Sequence, residues 1–447
     1  MSPLASSPSP LSFRLRNILA AACLLLASSL VAQSPAAASS PAPRVRFELP
    51  ASPFDYTAPP PPRRASFPGC GPAVPRQRPT SQRLWSLRAN RLRGERRDDR
   101  ATLGRVLFYD DLLSRDRSRS CATCHRQELA FTDGRAHGRG VGGARTARSS
   151  MSTVNVAYAR GPLFWDGRAK SLEEVVVAPI ENAHELGLPL EQLVVRLERE
   201  PGYAALFRRA FGDDEVTIGR IGDALATFVG AIASFGSRYD AGLEAVGGEY
   251  EKPFPNFSDA ENRGKAVFFG EGDRRNKSCA ECHVQSFSGC SGQTIHYYPT
   301  ILQGDSLRNN GLDAGARGDD IGYGAVSGAP ADRGRFRAPS LRNVALTAPY
   351  MHDGRLRTLE DVVDFYAAQV RPHPQLDPLL SGKESRYRPR SKVDALPTAV
   401  PDAPVLVGPS PGMPMTAQQR RDLVAFLHTL TDESLLTDPR FSDPFVR

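Results

Sequence analysis

A mainly α-helical protein with two corresponding halves and long connecting loops is what this sequence of 447 residues predicts, on three observations. Capping signals stand ahead of helical apolar patterns. In Ser171-Leu-Glu-Glu174 and Thr358-Leu-Glu-Asp361 a hydroxyl and a carboxylate are spaced to satisfy each other's backbone N–H groups, and Thr416 to Leu430 carries apolar residues at helical intervals. Strand-like alternation is scarce. One motif, Cys-x-x-Cys-His, occurs twice, at Cys121-Ala-Thr-Cys124-His125 and Cys279-Ala-Glu-Cys282-His283, 158 residues apart and each time behind a serine.

That motif is the attachment signal of a c-type haem. Two thiols add to the two vinyl groups of the porphyrin, and the adjoining histidine then lies beneath the iron as an axial ligand. Two copies predict two covalently bound haem c groups, attached at Cys121, Cys124, Cys279 and Cys282 and ligated by His125 and His283, in two cytochrome c-like haem domains. The competing reading is a zinc site of four thiolates, which has no need of a histidine behind each pair.

The remaining segments follow from composition. Residues 1–32 read as a signal peptide, with Arg14 and Arg16 ahead of an apolar run from Ile18 to Ala32 and no acid before Glu48. Cys23, inside that run, reads as signal core. The run is too short for a confident membrane span and no second one follows, so an exported, periplasmic protein that is not an integral membrane protein is expected. Loss of the segment takes the formal charge from +8 to +6. Haem propionates offset much of that balance, and no basic patch is interleaved with aromatics, which excludes nucleic acid as a partner.

Residues 33–80, dense in Pro, Ser and Ala, are expected to be a disordered tether. Residues 81–247 and 248–436 are expected to be the two haem domains, and 437–447 a tail. The loops Asp133–Arg148 and Gln285–Arg337 are longer than ordinary connectors and are expected to wrap the haems. Cys70 and Cys290 are left over in a compartment that permits disulfides, and the sequence leaves their pairing open.

Several segments occur in a telling order: Leu103-Gly-Arg-Val-Leu-Phe with Leu113-Ser114, then the two haem motifs with Phe164-Trp-Asp-Gly-Arg168 between them, then Phe336-Arg-Ala-Pro-Ser-Leu-Arg-Asn343 and Ala348-Pro-Tyr-Met-His-Asp-Gly354. Over about residues 100 to 431 the chain resembles the bacterial di-haem cytochrome c peroxidase and MauG family. The resemblance implies a peroxide-reacting haem on His125 and an electron-transfer haem on His283, with Trp165 placed between them. It implies Pro179 and Glu185 on the open face of the first haem, where Glu185 is the general acid/base for O–O cleavage. Val175 departs from the glutamine that many members carry four residues before the proline.

Three ligand questions follow from the same resemblance. His137 is the candidate in the loop for a second ligand to the first iron. For the second iron, Leu359, Val362, Val363 and Tyr366 share one helical face. Tyr366 is favoured there over Met351, a choice that matters because methionine raises the haem potential. A calcium ion between the haems would find Thr347 and Pro349 at expected positions, but Ser149 where an asparagine is usual.

The function implied is reduction of hydrogen peroxide with electrons from a small cytochrome c or another periplasmic donor. The alternative is a MauG-like enzyme that uses the oxidising equivalents of peroxide on a protein substrate. A non-enzymatic di-haem electron carrier is less favoured, because Pro179 and Glu185 argue for an open iron.

Overall fold

The computed structural model describes residues 47–57, 96–270, 278–288, 295–298, 302–304, 306–315, 319–381 and 411–446, with backbone only at 285–288 and 295–298. The signal-peptide segment, Cys70 and Cys290 lie outside the described residues.

Helices dominate. The first half is built from α1 (Arg97–Tyr109), the single turn α2 (Cys121–Cys124), α3 (Leu172–Glu181), α4 (Leu190–Arg199), α5 (Tyr203–Phe211) and α6 (Ile218–Ala231). The second half has α7 (Arg238–Ala245), α8 (Asp259–Phe269), the turn α9 (Ala280–His283), α10 (Gly324–Ser327), α11 (Leu359–Asp364), α12 (Ala417–His428) and α13 (Glu433–Leu436). The expected loop Gln285–Arg337 contains short strands. β1 (Gln285–Ser288) and β2 (Ile295–Tyr298) pair antiparallel, as do β3 (Leu307–Arg308) and β4 (Phe336–Arg337).

The capping signals form as spaced, with one difference. At α11, Thr358 Oγ1 accepts the Asp361 N–H at 3.0 Å while Asp361 Oδ2 accepts the Thr358 N–H at 3.0 Å. Thr416 and Gln419 close the same box on α12. At α3 only half forms: Ser171 Oγ accepts the Glu174 N–H, but the Glu174 carboxylate reaches back one residue further, to the Lys170 N–H at 2.7 Å.

One especially close helix crossing in each half helps to fix its core. Where α1 passes α6, a Cβ on Gly104 would lie 2.0 Å from the Ala224 carbonyl oxygen; where α8 passes α12, a Cβ on Gly264 would lie 1.9 Å from that of Asp422. Only glycine admits backbones this close. Around the first crossing packs a core that includes Leu103, Phe108, Phe131 and Phe228, and around the second one that includes Tyr239, Phe254, Phe268 and Phe426.

The two cores meet through a buried polar network rather than through apolar contacts alone. The Asn155 side chain pairs with both backbone groups of Ser234, at 3.0 and 2.9 Å. Ser234 Oγ donates to Asp432 at 2.9 Å and accepts from Asn343 Nδ2 at 3.0 Å, and Asn343 Oδ1 accepts the Asp432 N–H at 2.8 Å.

Two sequence expectations are corrected. Residues 47–57, assigned to the disordered tether, pack on the first core: Tyr56 is 2% exposed, and its ring meets Phe228 and Phe441. The described residues 437–446 of the segment expected to be a tail, and part of the second domain, also return to that core, where Leu435 and Phe441 are buried. The physical reason is aromatic content. Phe54, Tyr56, Phe441 and Phe445 carry enough apolar surface to order short segments that are otherwise rich in proline and polar residues.

Candidate active site

Each Cys-x-x-Cys-His sequence folds into one helical turn that presents its histidine inward. At the first, the Ser120 N–H donates to Thr123 Oγ1 at 3.0 Å, and the His125 N–H closes the turn on Cys121 O at 3.0 Å. At the second, the His283 N–H reaches Cys279 O at 2.9 Å. His125 Nδ1 faces Phe131 O at 2.9 Å, and His283 Nδ1 faces Pro339 O at 3.1 Å. A carbonyl oxygen only accepts, so each Nδ1 carries the proton and each Nε2 keeps its lone pair for a metal. Burial lowers both imidazole pKa values, that of His283 to about 4, which keeps the rings neutral.

None of the four motif cysteines is engaged in a disulfide. Burial pushes Cys121, Cys279 and Cys282 up to about 12 and Cys124 to about 11. Among the described residues no group of three or more His, Cys, Asp and Glu side chains converges as a metal site. The two cysteine pairs therefore do not meet as the four thiolate ligands of a zinc centre.

A single cavity of about 730 Å³ takes in both turns, with Cys124 and His125 in its wall as well as Cys279, Cys282 and His283. Its size falls in the range of about 300–1,000 Å³ usual for ligand and cofactor sites. The residues present fit c-type haems. Besides the inward Nε2 atoms, the wall carries Arg145, Arg148, Arg168, Arg308 and Arg337, cations that match propionate edges. Thr153 Oγ1 and Gln303 Oε1, also in the wall, are buried without a protein partner.

At the His125 end, α3 delivers Pro179 and the turn behind it delivers Glu185, both in the cavity wall. Pro179 lies inside α3 and leaves the Val175 carbonyl without its helical N–H partner. Glu185 is held from three sides: its N–H bonds Asn182 O at 2.8 Å, its carbonyl accepts the Val141 N–H at 2.8 Å, and its Oε1 accepts Asn182 Nδ2 at 2.7 Å. The Glu185 charge acts on His125 and on both thiols of the first motif.

At the His283 end, all four residues of the expected helical face, Leu359, Val362, Val363 and Tyr366, line the cavity. The helix does not stay regular, however. After Asp364 it opens into a π-helical turn, Phe365–Gln369, and Tyr366 sits in it. Such turns recur at functional sites because they re-aim one side chain. Burial raises the phenol pKa, and a hydrogen bond from Asn310 opposes that shift.

Between the ends, the Trp165 indole N–H donates to Ser149 O at 2.9 Å, and Trp165 O accepts the N–H of Arg337 on β4 at 2.8 Å. Ser149 in turn donates through its N–H to His352 O at 2.8 Å and through Oγ to Met351 O at 2.9 Å. The His352 ring stacks on Phe336 at 3.8 Å. Met351, Thr347, Pro349 and Ser149 all line the cavity. With Ser149 Oγ already donating to Met351 O, the three calcium candidates bring no charged oxygen to the spot.

Two candidates are not brought into the cavity wall. Cys121 packs instead against the first core. His137 is not in the wall either, its Nδ1 bonded to Thr146 O at 2.9 Å. Conversely, Asn182 and Asn310 belong to the site although the sequence did not single them out; no motif marks them, and their partners are set by the fold. His352 lies in the segment Ala348–Gly354 but was given no role there.

Residues 98–246 match the family model described as di-haem cytochrome c peroxidase. The chain is 36% identical over 278 residues to methylamine utilization protein MauG of Methylophilus methylotrophus, covering 61% of this chain and 73% of that protein. It is 34% identical over 273 residues to cytochrome c551 peroxidase of Nitrosomonas europaea, covering 60% and 72%. Among solved structures it is similar to a MauG-like protein associated with microbial copper homeostasis, at 33% identity and a TM-score of 0.58 over 77% of this chain and 93% of that one. The diheme peroxidase BthA of Burkholderia thailandensis aligns at 26% identity and a TM-score of 0.54, over 77% and 89%. With two haem-attachment turns opening on one cavity and likeness of this extent, the chain belongs to the di-haem cytochrome c peroxidase and MauG family of oxidoreductases.

Proposed function

We propose that the protein is a periplasmic di-haem c-type peroxidase that reduces hydrogen peroxide at the His125 site with electrons received at the His283 site. The observation that carries this reading is the shared cavity, which has His125 and Glu185 at one end, His283 and Tyr366 at the other and Trp165 in its wall. Two bound haem c groups supply the redox chemistry that no side chain of the cavity offers.

The chain's own residues supply the rest. Overall, hydrogen peroxide takes up two electrons and two protons and leaves as two waters. Glu185 accepts the proton of the near peroxide oxygen and returns it to the departing far oxygen, so the O–O bond breaks with water as leaving group rather than hydroxide. Asn182, bonded to Oε1, leaves Oε2 to carry that proton. Pro179 fills the wall beside it with a ring that competes for no proton. Trp165, tied to Ser149 on one side and to β4 on the other, is the relay between the two ends. His137 is not needed as a ligand in this scheme, and Tyr366 would hold the iron of the second haem.

One observation favours a second reading. A tyrosine, rather than the sulfur of Met351, stands on the re-aimed π turn, and this supports a MauG-like enzyme that spends the oxidising equivalents on a protein substrate. Donor competition separates the two. Steady peroxide consumption that follows oxidation of a reduced small cytochrome c supports the peroxidase, while consumption only with a protein substrate supports the alternative. Glu185→Gln tests the acid/base role: turnover falls about 10²–10⁴-fold with both haems still attached, and an unchanged rate removes Glu185 from the reaction.

No helix among the described residues is long and apolar enough to cross a membrane. Export to the periplasm is the reading supported by Arg14, Arg16 and the apolar run that follows them.

A further inference from the structure

Two candidate ligands for one iron, Tyr366 and Met351, come from different elements and meet at a third residue. Asn310 Nδ2 lies 3.2 Å from Tyr366 Oη and 3.7 Å from Met351 Sδ. The other end of the same amide is committed, because Asn310 Oδ1 accepts the Leu312 N–H at 3.2 Å, and this settles which end faces the cavity. The loop that carries Asn310 is clamped on both sides. Asn309 O accepts the Asp377 N–H at 2.9 Å, and Gly311 O accepts the Arg371 N–H at 2.8 Å, just beyond the π turn. Met351 is equally fixed, with a left-handed backbone (φ 73°) and its carbonyl bonded to Ser149 Oγ.

From this arrangement we propose that Asn310 is the residue that selects the distal ligand of the second haem, favouring Tyr366 and holding Met351 in reserve; this rests on the reading of Tyr366 as that ligand. An amide NH₂ has two hydrogens, and here there are two acceptors. The one given to the phenol oxygen stabilises the negative charge that the oxygen carries as an iron ligand. The other engages the weakly accepting thioether sulfur, the atom that would have to turn toward the metal. Asn310 touches neither peroxide nor iron, and so it is a positioning residue. Without it, Met351 is released, and a methionine ligand raises the potential of the haem.

The holoprotein tests this with Asn310→Ala and with Asn310→Leu, which keeps the volume but has no N–H. The readouts are the sulfur-to-iron charge-transfer absorption and the reduction potential of the second haem. Both variants gain the sulfur band and a raised potential, and the band disappears when Met351→Leu is added. Met351→Leu alone leaves spectrum and potential as in the unaltered protein. If the Asn310 variants retain two haems with the original spectrum and potential, the selection role is wrong while ligation by Tyr366 stands. If the unaltered protein already shows the sulfur band, or Met351→Leu alone changes the spectrum, the ligand reading itself fails.

Discussion

Glu185 and Tyr366 line one cavity, and each is hydrogen-bonded to an amide neighbour, Asn182 for the first and Asn310 for the second. At the residue scale, Tyr366→Phe removes the only oxygen that side chain offers and should change the low-spin ferric spectrum of the second haem while leaving the first haem's spectrum intact; an unaltered low-spin signal would rule out ligation by Tyr366. Trp165→Phe keeps the ring volume within reach but loses the bond to Ser149, and should slow electron exchange between the two haems without altering haem content. The two Cys-x-x-Cys-His turns were legible in the sequence because their spacing is short and local. That Glu185 and Trp165 share one cavity wall was legible only through resemblance. Asn310 was not legible at all, since its partner Tyr366 lies 56 residues away and no local pattern joins them.

At the scale of elements, caps and crossings decide where the functional side chains stand. The box of Thr358 and Asp361 starts the helix that ends in the π turn, so Thr358→Ala should cost about 1 kcal/mol of stability, read as a lower Tm. The sequence located that helix correctly but did not foresee the π turn, which depends on packing against the loop 309–312 and on Tyr366 O accepting the Met413 N–H. Beyond the repeated motif, the duplication was harder still to see. Gly104 and Gly264 open equivalent crossings 160 residues apart, close to the 158 that separate the motifs, yet the residues around them share little beyond a trailing phenylalanine. Gly264→Ala puts a methyl against the Asp422 backbone and should destabilise the second core by about 1–3 kcal/mol or more, measured as earlier unfolding of the holoprotein.

For the whole molecule, stability and function join at the contact between the cores. Asn343, fully buried, bridges Ser234 and the Asp432 backbone. Asn343→Ala should cost about 1–3 kcal/mol through the groups it leaves unpaired. The buried pair of Arg342 and Asp240, at 2.7 Å on both branches, adds a pH dependence. Burial alone would raise the Asp240 carboxyl, but the Arg342 charge and hydrogen bonds outweigh it, so the folded pKa lies below the ordinary value. A depressed carboxylate contributes fully above its unfolded pKa of about 3.9, and that contribution is lost as pH falls from there through the folded value. Acid unfolding should begin in that window, and Asp240→Asn should flatten the pH dependence of Tm there. Segment 47–57 was misread because composition averages out a few aromatics: Phe54 and Tyr56 anchor a stretch whose neighbours alone would not pack.

The account rests on two attached haems of unequal openness, one facing Glu185 with a free coordination position and one closed by Tyr366. Electron paramagnetic resonance of the ferric holoprotein, before and after addition of hydrogen peroxide, tests this most directly. One high-spin and one low-spin signal are expected, the high-spin signal being lost within the mixing time when peroxide is added and retained for longer in Glu185→Gln. Two low-spin signals that peroxide leaves unchanged would contradict the account and make the protein an electron carrier.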